Sequence, residues 1–418
     1  MQLTFLGGAR EVGRSAVLIK TAGGARILLD YGVAMNDRVH FPGHIAPKDI
    51  DAVFLTHAHL DHSGAIPMLF ISGKPKLYAT RATYLQAEIL LKDMLKLSGY
   101  YLPFGEAEIR KTMISGTSIN YGEPVRIKDA EIEFISAGHI PGSSQVIINA
   151  DKTLLYTGDF TTIDTRLIKG SDIPGEDFDI VVTESTYARE AHPPRKELEE
   201  KITNHVIETV NNGGLVVIPA FSIARSQEVA CILYSRGYRG PMYMDGMATQ
   251  VLELYINSEE FIDGLDLLSR VYKKLRIVRG RRQREKAQRD AGTVITPAGM
   301  LKGGPAIYYT SKVADDPAST IILVSFQLPG SPGDTLLKER KLFVDGRVIQ
   351  VKAQIYQYKL SAHAGMEELH EYISSLAKNA QVFTIHAEPE SCIEFADWIN
   401  NNTSSKAYAP LNGETIEV

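Results

Sequence analysis

The chain has 418 residues, 44% hydrophobic and 23% charged, with a formal net charge of -5. That length supports two domains with cores of their own, and the composition is that of an ordinary globular protein. The charge excludes a polycation that coats nucleic acid with its whole surface, so any nucleic-acid contact must use a local basic groove. No apolar run approaches the roughly 20 residues that span a bilayer. Cys231 and Cys392 stand alone in apolar helical contexts, which suits a reducing compartment and argues against a cysteine metal site. The expectation is a soluble cytoplasmic protein without a leader, since Met1 runs straight into the strand-like Leu3-Thr4-Phe5-Leu6.

Residues 1–160 are dense in short β runs, such as Ala16-Val17-Leu18-Ile19, Arg26-Ile27-Leu28-Leu29 and Ile132-Glu133-Phe134-Ile135, separated by turns such as Gly23-Gly24. The apolar run Ala52-Val53-Phe54-Leu55 ends in Thr56-His57-Ala58-His59-Leu60-Asp61-His62, three imidazoles and a carboxylate within six residues. A helix is expected to open near Gly64, and another from about Arg81 to Leu97. Strand ends also carry Asp30, His139 (in Gly138-His139-Ile140-Pro141-Gly142), Asp159 (in Thr157-Gly158-Asp159) and His386. Imidazole and carboxylate are the donors that zinc-like cations take, and separate strands can aim them into one cleft.

Beyond Asp179-Ile180-Val181-Val182-Thr183-Glu184-Ser185 and the linker-like Ala191-His192-Pro193-Pro194-Arg195, the pattern becomes β-α alternation. Helices near 195–211 and 223–236 flank the strand Leu215-Val216-Val217-Ile218-Pro219, which predicts a separate parallel sheet. A strand-helix-strand pattern returns from about 355. No internal repeat or low-complexity tract is present. Residues 273–289 hold nine basic residues and one acid, read as a solvated face or as an RNA-guiding patch.

His57-x-His59-x-Asp61-His62 resembles the signature of the metallo-β-lactamase superfamily. In that family the order of ligands implies His57, His59 and His139 on one metal, Asp61, His62 and His386 on the second, and Asp159 bridging both. Asp30 is then expected to support the histidine loop by hydrogen bonds. His386 stands 227 positions after Asp159, room for an inserted domain. Thr183-Glu184-Ser185-Thr186-Tyr187, Leu360-Ser361-Ala362-His363-Ala364 and Ile385-His386-Ala387-Glu388 stand at its edges and match motifs A, B and C of the β-CASP branch, in particular its archaeal cleavage-factor-like ribonucleases without KH domains and, more distantly, ribonuclease J. Ala188, Ala224, Gly365 and Ala387 depart from the family's usual residues without removing a ligand.

The resemblance implies an α/β fold: a four-layer αββα sandwich formed by residues 1–190 and 355–418, with an inserted parallel-sheet domain at 191–354. It implies two zinc ions per chain and hydrolysis of single-stranded RNA. Asp61 and Asp159 orient the attacking water, His363 is the leaving-group acid, and Glu184 orients it. Ser222, Arg225, Gly303, Gly304 and Ser361 are the expected RNA-binding residues. The preferred polarity is 5′→3′ exonucleolytic. An endonuclease of the 3′-end-processing type is the alternative, and a small-molecule metallohydrolase or an inactive RNA-binding scaffold are the readings from other classes. A homodimer or an RNA-processing complex is compatible with the resemblance.

Overall fold

A computed structural model describes all residues except 36–37, 99–100, 176 and 377. The chain divides into two compact units: residues 1–164, 169–191 and 362–418 form the first, and residues 165–168 and 192–361 the second.

The first unit is built on two seven-stranded sheets. The strand Gln2–Gly7 alternates half-buried and buried residues, so one face turns inward. Its buried Leu3 and Phe5 join Val17, Ile27 and Phe54 of the same sheet, and meet Phe134, Ile148, Val182 and Phe383 of the other. Rings interlock across this interior, with Phe5 and Phe383 centroids 5.4 Å apart and Phe54 edge-on to Phe134 at 5.9 Å. Outside the first sheet, helices Arg81–Ser98 and Glu106–Ser115 pack against Gly116–Ser118 and Lys76–Ala79. Outside the second, helices Met366–Leu376 and Pro389–Asn402 supply Leu369, Tyr372, Phe395 and Ile399 to a separate apolar cluster. The layers are therefore helix, sheet, sheet, helix, as expected.

Parallel neighbours decide where the polar residues go. Arg26–Leu29 runs parallel to Ala52–Phe54, and both end at the same edge. In the other sheet Thr153–Tyr156, Ile180–Glu184 and Gln381–Ile385 are successive parallel strands. The hairpin joining Ala130–Ser136 to Ser144–Asn149 turns at that same edge, since Val146 pairs with Tyr156. Each strand thus delivers the residues after its last apolar position to one rim.

The second unit is a six-stranded all-parallel sheet with a small hairpin, Lys341–Val344 and Arg347–Gln350. Its strands Leu215–Pro219 and Gly292–Thr296 are buried at every position. Continuous burial is what a parallel strand covered on both faces requires. One face is covered by Gly304–Val313, whose Ala306, Tyr309 and Val313 meet Val217 and Val294. The strand Gln354–Gln357, which the sequence pattern grouped with the returning segment, pairs here with Thr320–Leu323. Among the described residues no helix is long and apolar enough to cross a membrane.

Candidate metal centre

All seven expected ligands meet at the rim of the first unit. Donor atoms of His57, His59, His139 and Asp159 lie within 4.8 Å of one another, and so do those of Asp61, His62, Asp159 and His386. Asp159 belongs to both groups. A third group, Asp159, Glu184 and His363, shares it again.

Local backbone chemistry places these donors. His59 and Leu60 start a four-residue helix, Leu60–Ser63, with Gly64 at its end. The helix expected to open at Gly64 therefore closes there, because the His59 carbonyl already accepts from the amides of His62 and Ser63. That turn carries Asp61 and His62 to the second donor group, with the His62 ring 4.1 Å from the His57 ring, centroid to centroid. Asp30 and His386 both adopt left-handed backbone, φ 58° and 57°. Such a conformation costs a non-glycine residue about 1–2 kcal/mol, and each is held in it by its partners. Gly158, at φ 53°, brings Asp159 in below Thr56, and a Cβ there would lie 3.1 Å from the Thr56 Cβ.

Asp30 is fully buried and anchors the histidine loop. Its carboxylate accepts from the Thr56 amide at 2.8 Å, the Thr56 hydroxyl at 2.9 Å, His62 Nδ1 at 2.7 Å and the Tyr156 hydroxyl at 3.2 Å. A carboxylate can only accept, so His62 carries a proton on Nδ1, and Nε2 is the nitrogen it offers a cation when the ring is neutral. Thr56 relays the same order to His57: its hydroxyl gives its proton to Asp30, and its oxygen lies 3.1 Å from His57 Nδ1. His139 Nδ1 donates to the Ala362 carbonyl at 2.8 Å, which likewise leaves Nε2 bare. Thr56 and Tyr156 were not assigned roles from sequence. The only signal was position, one directly before His57 and the other three residues before Asp159.

The donor set fits cations. Among the described residues, His57 Nε2, Asp159 Oδ1 and His386 Nε2 are buried and find no hydrogen-bond partner, a costly arrangement for polar atoms unless a ligand completes it. His139 Nε2 stands 3.1 Å from His59 Nδ1, close to the spacing of about 3.3 Å expected between two tetrahedral zinc ligands. Burial pulls His57 and His139 well below the usual histidine range and His59 down to about 4, so all three stay neutral at physiological pH, the ligating form. In the other group burial also opposes charge, but Asp159 outweighs it, with Asp30 at His62 and Asp61 at His386, and both imidazoles are raised.

His363 lies beside the expected ligands, its ring 4.6 Å from that of His139, but belongs to neither of their two groups. Its Nδ1 donates to Glu184 at 2.9 Å and lies 4.0 Å from Asp159, and the side chain keeps 21% of its surface open. Burial disfavours its charge, yet Glu184 and then Asp159 raise it to about 9. Glu184 is itself buried, and its Oε1 also accepts from the Phe160 amide at 2.8 Å. The expected RNA-binding residues lie in the second unit. Ser222 and Arg225 are buried, and Arg225 pairs with Glu228 at 2.7 Å. Gly303 and Gly304 open the helix Gly304–Val313, and the Ser361 carbonyl accepts from Arg195 at 3.3 Å. His370, outside the site, stacks on Trp398 with centroids 3.6 Å apart.

Three family models match the chain. They are the Zn-dependent metallo-hydrolase RNA specificity domain over residues 348–410, the Beta-Casp domain over 226–336, and the Anti-Pycsar protein Apyc1 over 1–205. The chain is 38% identical to RNase aCSPSF2 of Saccharolobus solfataricus, over 100% of this chain and 85% of that protein. It is 35% identical to Probable RNase MJ4 of Methanocaldococcus jannaschii, over 100% of both. It is 31% identical to Transcription termination factor FttA of Pyrococcus abyssi, over 100% of this chain and 71% of that protein. A solved structure from Enterococcus faecalis V583, described as a protein of unknown function, shares the fold with a TM-score of 0.61 over 99% of each chain, at 15% identity. With its two ligand groups joined at Asp159 and this full-length similarity, the chain belongs to the β-CASP branch of the metallo-β-lactamase superfamily.

Proposed function

We propose that this chain is a zinc-dependent ribonuclease that hydrolyses single-stranded RNA from its 5′ end. The observation that carries the reading is the His363–Glu184 pair beside Asp159. A protonated imidazole next to the shared ligand, but outside both ligand groups, suits a reaction whose leaving group needs a proton. A small-molecule metallohydrolase has no evident use for it. RNA as the substrate is supported by the relatives' names, RNase aCSPSF2, Probable RNase MJ4 and Ribonuclease TTHA0252 of Thermus thermophilus, and by the RNA specificity domain at 348–410.

Two zinc ions fit the donors. His57, His59 and His139 would hold one, Asp61, His62 and His386 the other, and Asp159 both. When bound, the ions supply a water acidic enough to attack at neutral pH and neutralise charge on the phosphoryl oxygens. Asp61 and Asp159 orient that water. As the water's oxygen bonds to phosphorus it releases one proton to solvent, the P–O3′ bond breaks, and His363 passes its Nε2 proton to the departing O3′ and then regains one from solvent. Glu184 holds Nδ1 and keeps the ring charged. Ser222, Arg225, Gly303, Gly304 and Ser361 bind the strand, with the 5′-phosphate near Ser222 and Arg225.

The test uses 5′-labelled, 3′-labelled and circular RNA with the zinc-loaded protein. Early release of labelled mononucleotide from the 5′ end, with the circle intact, is the expected result. Discrete cuts in the circle would overturn the polarity and favour the endonuclease, and no cleavage of any of the three would overturn the ribonuclease reading.

A further inference from the structure

On a chain whose net charge is -5, the segment 273–289 concentrates nine cations. The structure gathers them on one edge of the second unit. Arg276–Val278 is an outermost strand of the six-stranded sheet, and the short helix Arg281–Ala287 follows and packs against it. Arg276, Arg279 and Arg281 are 51%, 68% and 93% exposed.

Ion pairing does not consume this charge. Arg276 pairs with Asp290, Arg279 with Glu253, Arg281 with Glu285 and Arg284 with Asp245. The Arg284 pair is the firmest, both guanidinium arms meeting a buried carboxylate that Tyr309 also contacts. It fixes the helix to the sheet. Among the described residues no carboxylate pairs with Lys273, Lys274, Arg282, Lys286 or Arg289, and all five are exposed. The helix also opens with Arg281 and Arg282 and no acid in its first turn, where its dipole disfavours cations. The edge therefore keeps like charges together at some cost to its own stability.

We propose that this edge is a docking surface for the phosphate backbone of single-stranded RNA, resting on the ribonuclease reading above. The cations are long, flexible and solvent-facing, and they fringe a strand edge instead of lining a pocket. That arrangement meets a repeating polyanion without reading its bases. The contact is thus independent of sequence and weakens with salt.

The test is equilibrium binding of a uridine RNA of about 20 nucleotides with phosphorothioate linkages, which keep the charge and resist cleavage. It is read on the zinc-loaded full chain from about 50 to 200 mM salt. A variant carrying Lys273→Gln, Lys274→Gln, Arg282→Gln, Lys286→Gln and Arg289→Gln should bind at least about 10-fold more weakly at the low-salt end. Each lost phosphate contact should flatten the plot of log affinity against log salt by about 0.7. With ordinary RNA its KM should rise while kcat holds. Arginine at the three lysine positions should keep the parent slope, which separates charge from local structure. Unchanged affinity and slope in the five-fold variant would overturn the proposal while leaving the ribonuclease reading intact, and would return the edge to solvent or to an acidic protein. A parent protein that neither binds nor cuts RNA would overturn both.

Discussion

Asp30→Asn is the sharpest probe of how the histidine loop is ordered. The substitution keeps shape and volume but replaces one acceptor oxygen with an NH2 group. Asp30 Oδ1 faces the Thr56 amide, while Oδ2 faces the Thr56 hydroxyl, His62 Nδ1 and the Tyr156 hydroxyl. An asparagine must keep its oxygen toward the amide, which can only donate. Its NH2 then meets His62 Nδ1, and two donors cannot face each other. The proton leaves Nδ1 for Nε2, the atom 3.3 Å from Asp159 that has to ligate. Restoring the ligating tautomer forfeits a hydrogen bond to a charged group, worth about 1.5–3 kcal/mol. Affinity for the ion held by His62 should fall on the order of 10–100-fold, while the ion at His57, His59 and His139 is affected less, through Thr56 alone. Competition against a chromophoric zinc chelator measures both steps. Tyr156→Phe is the control, since it removes one donor and leaves the tautomer unchanged. If Asp30→Asn binds its second zinc equivalent as tightly as the parent, the tautomer argument fails.

His363→Ala should keep its zinc content and most of its RNA affinity while cleavage slows by about 10²–10⁴-fold, with a milder loss for Glu184→Gln; elemental analysis beside single-turnover rates separates the two effects, and a parent-like rate would return His363 to a structural role. His59→Ala and Asp159→Asn should lose zinc together with turnover, which the same elemental analysis reads. Unchelated parent protein should carry two zinc ions per chain, and a value of one or less would sink the two-ion assignment. Burial opposes charge on Glu199, but Arg166 and Arg236 outweigh it and hold the carboxyl below its usual range. Its contribution is therefore complete above about pH 4.3 and fades as pH falls through the folded value. Glu199→Gln should cost about 3 kcal/mol or more at pH 7 in urea unfolding, with the gap narrowing below about pH 4; a gap constant across that range would refute the linkage.

The metal centre was legible wherever its chemistry was local or ordered along the chain. His57, His59, Asp61 and His62 announce themselves because they fall within six residues, the last two on the one-turn helix Leu60–Ser63. His139, Asp159 and His386 followed from family order and from standing at strand ends. What could not be read is the wiring between them. Asp30 and Tyr156 are 126 residues apart and touch only because their two sheets face each other. Nothing in the local pattern around Gln354–Gln357 tells which sheet it joins. Its polar ends suit any edge, and pairing with Thr320–Leu323 decides the matter. The His370–Trp398 stack, likewise, joins two helices that no periodicity relates.

Returning to the parallel strands of the second sheet, Gln381–Ile385 is laid beside Ile180–Glu184 only after 196 intervening residues have been made. A chain emerging from the ribosome thus carries six of its seven expected ligands long before His386, and Glu184 long before His363. Its rim at that stage has every donor of one ion group and all but one of the other, with no proton donor. In the proposed enzyme the last ligand, His386, and the proton donor, His363, both come from the segment that follows the inserted unit. The insertion that separates the motifs is therefore also a delay, set by the order of residues and by the rate of translation.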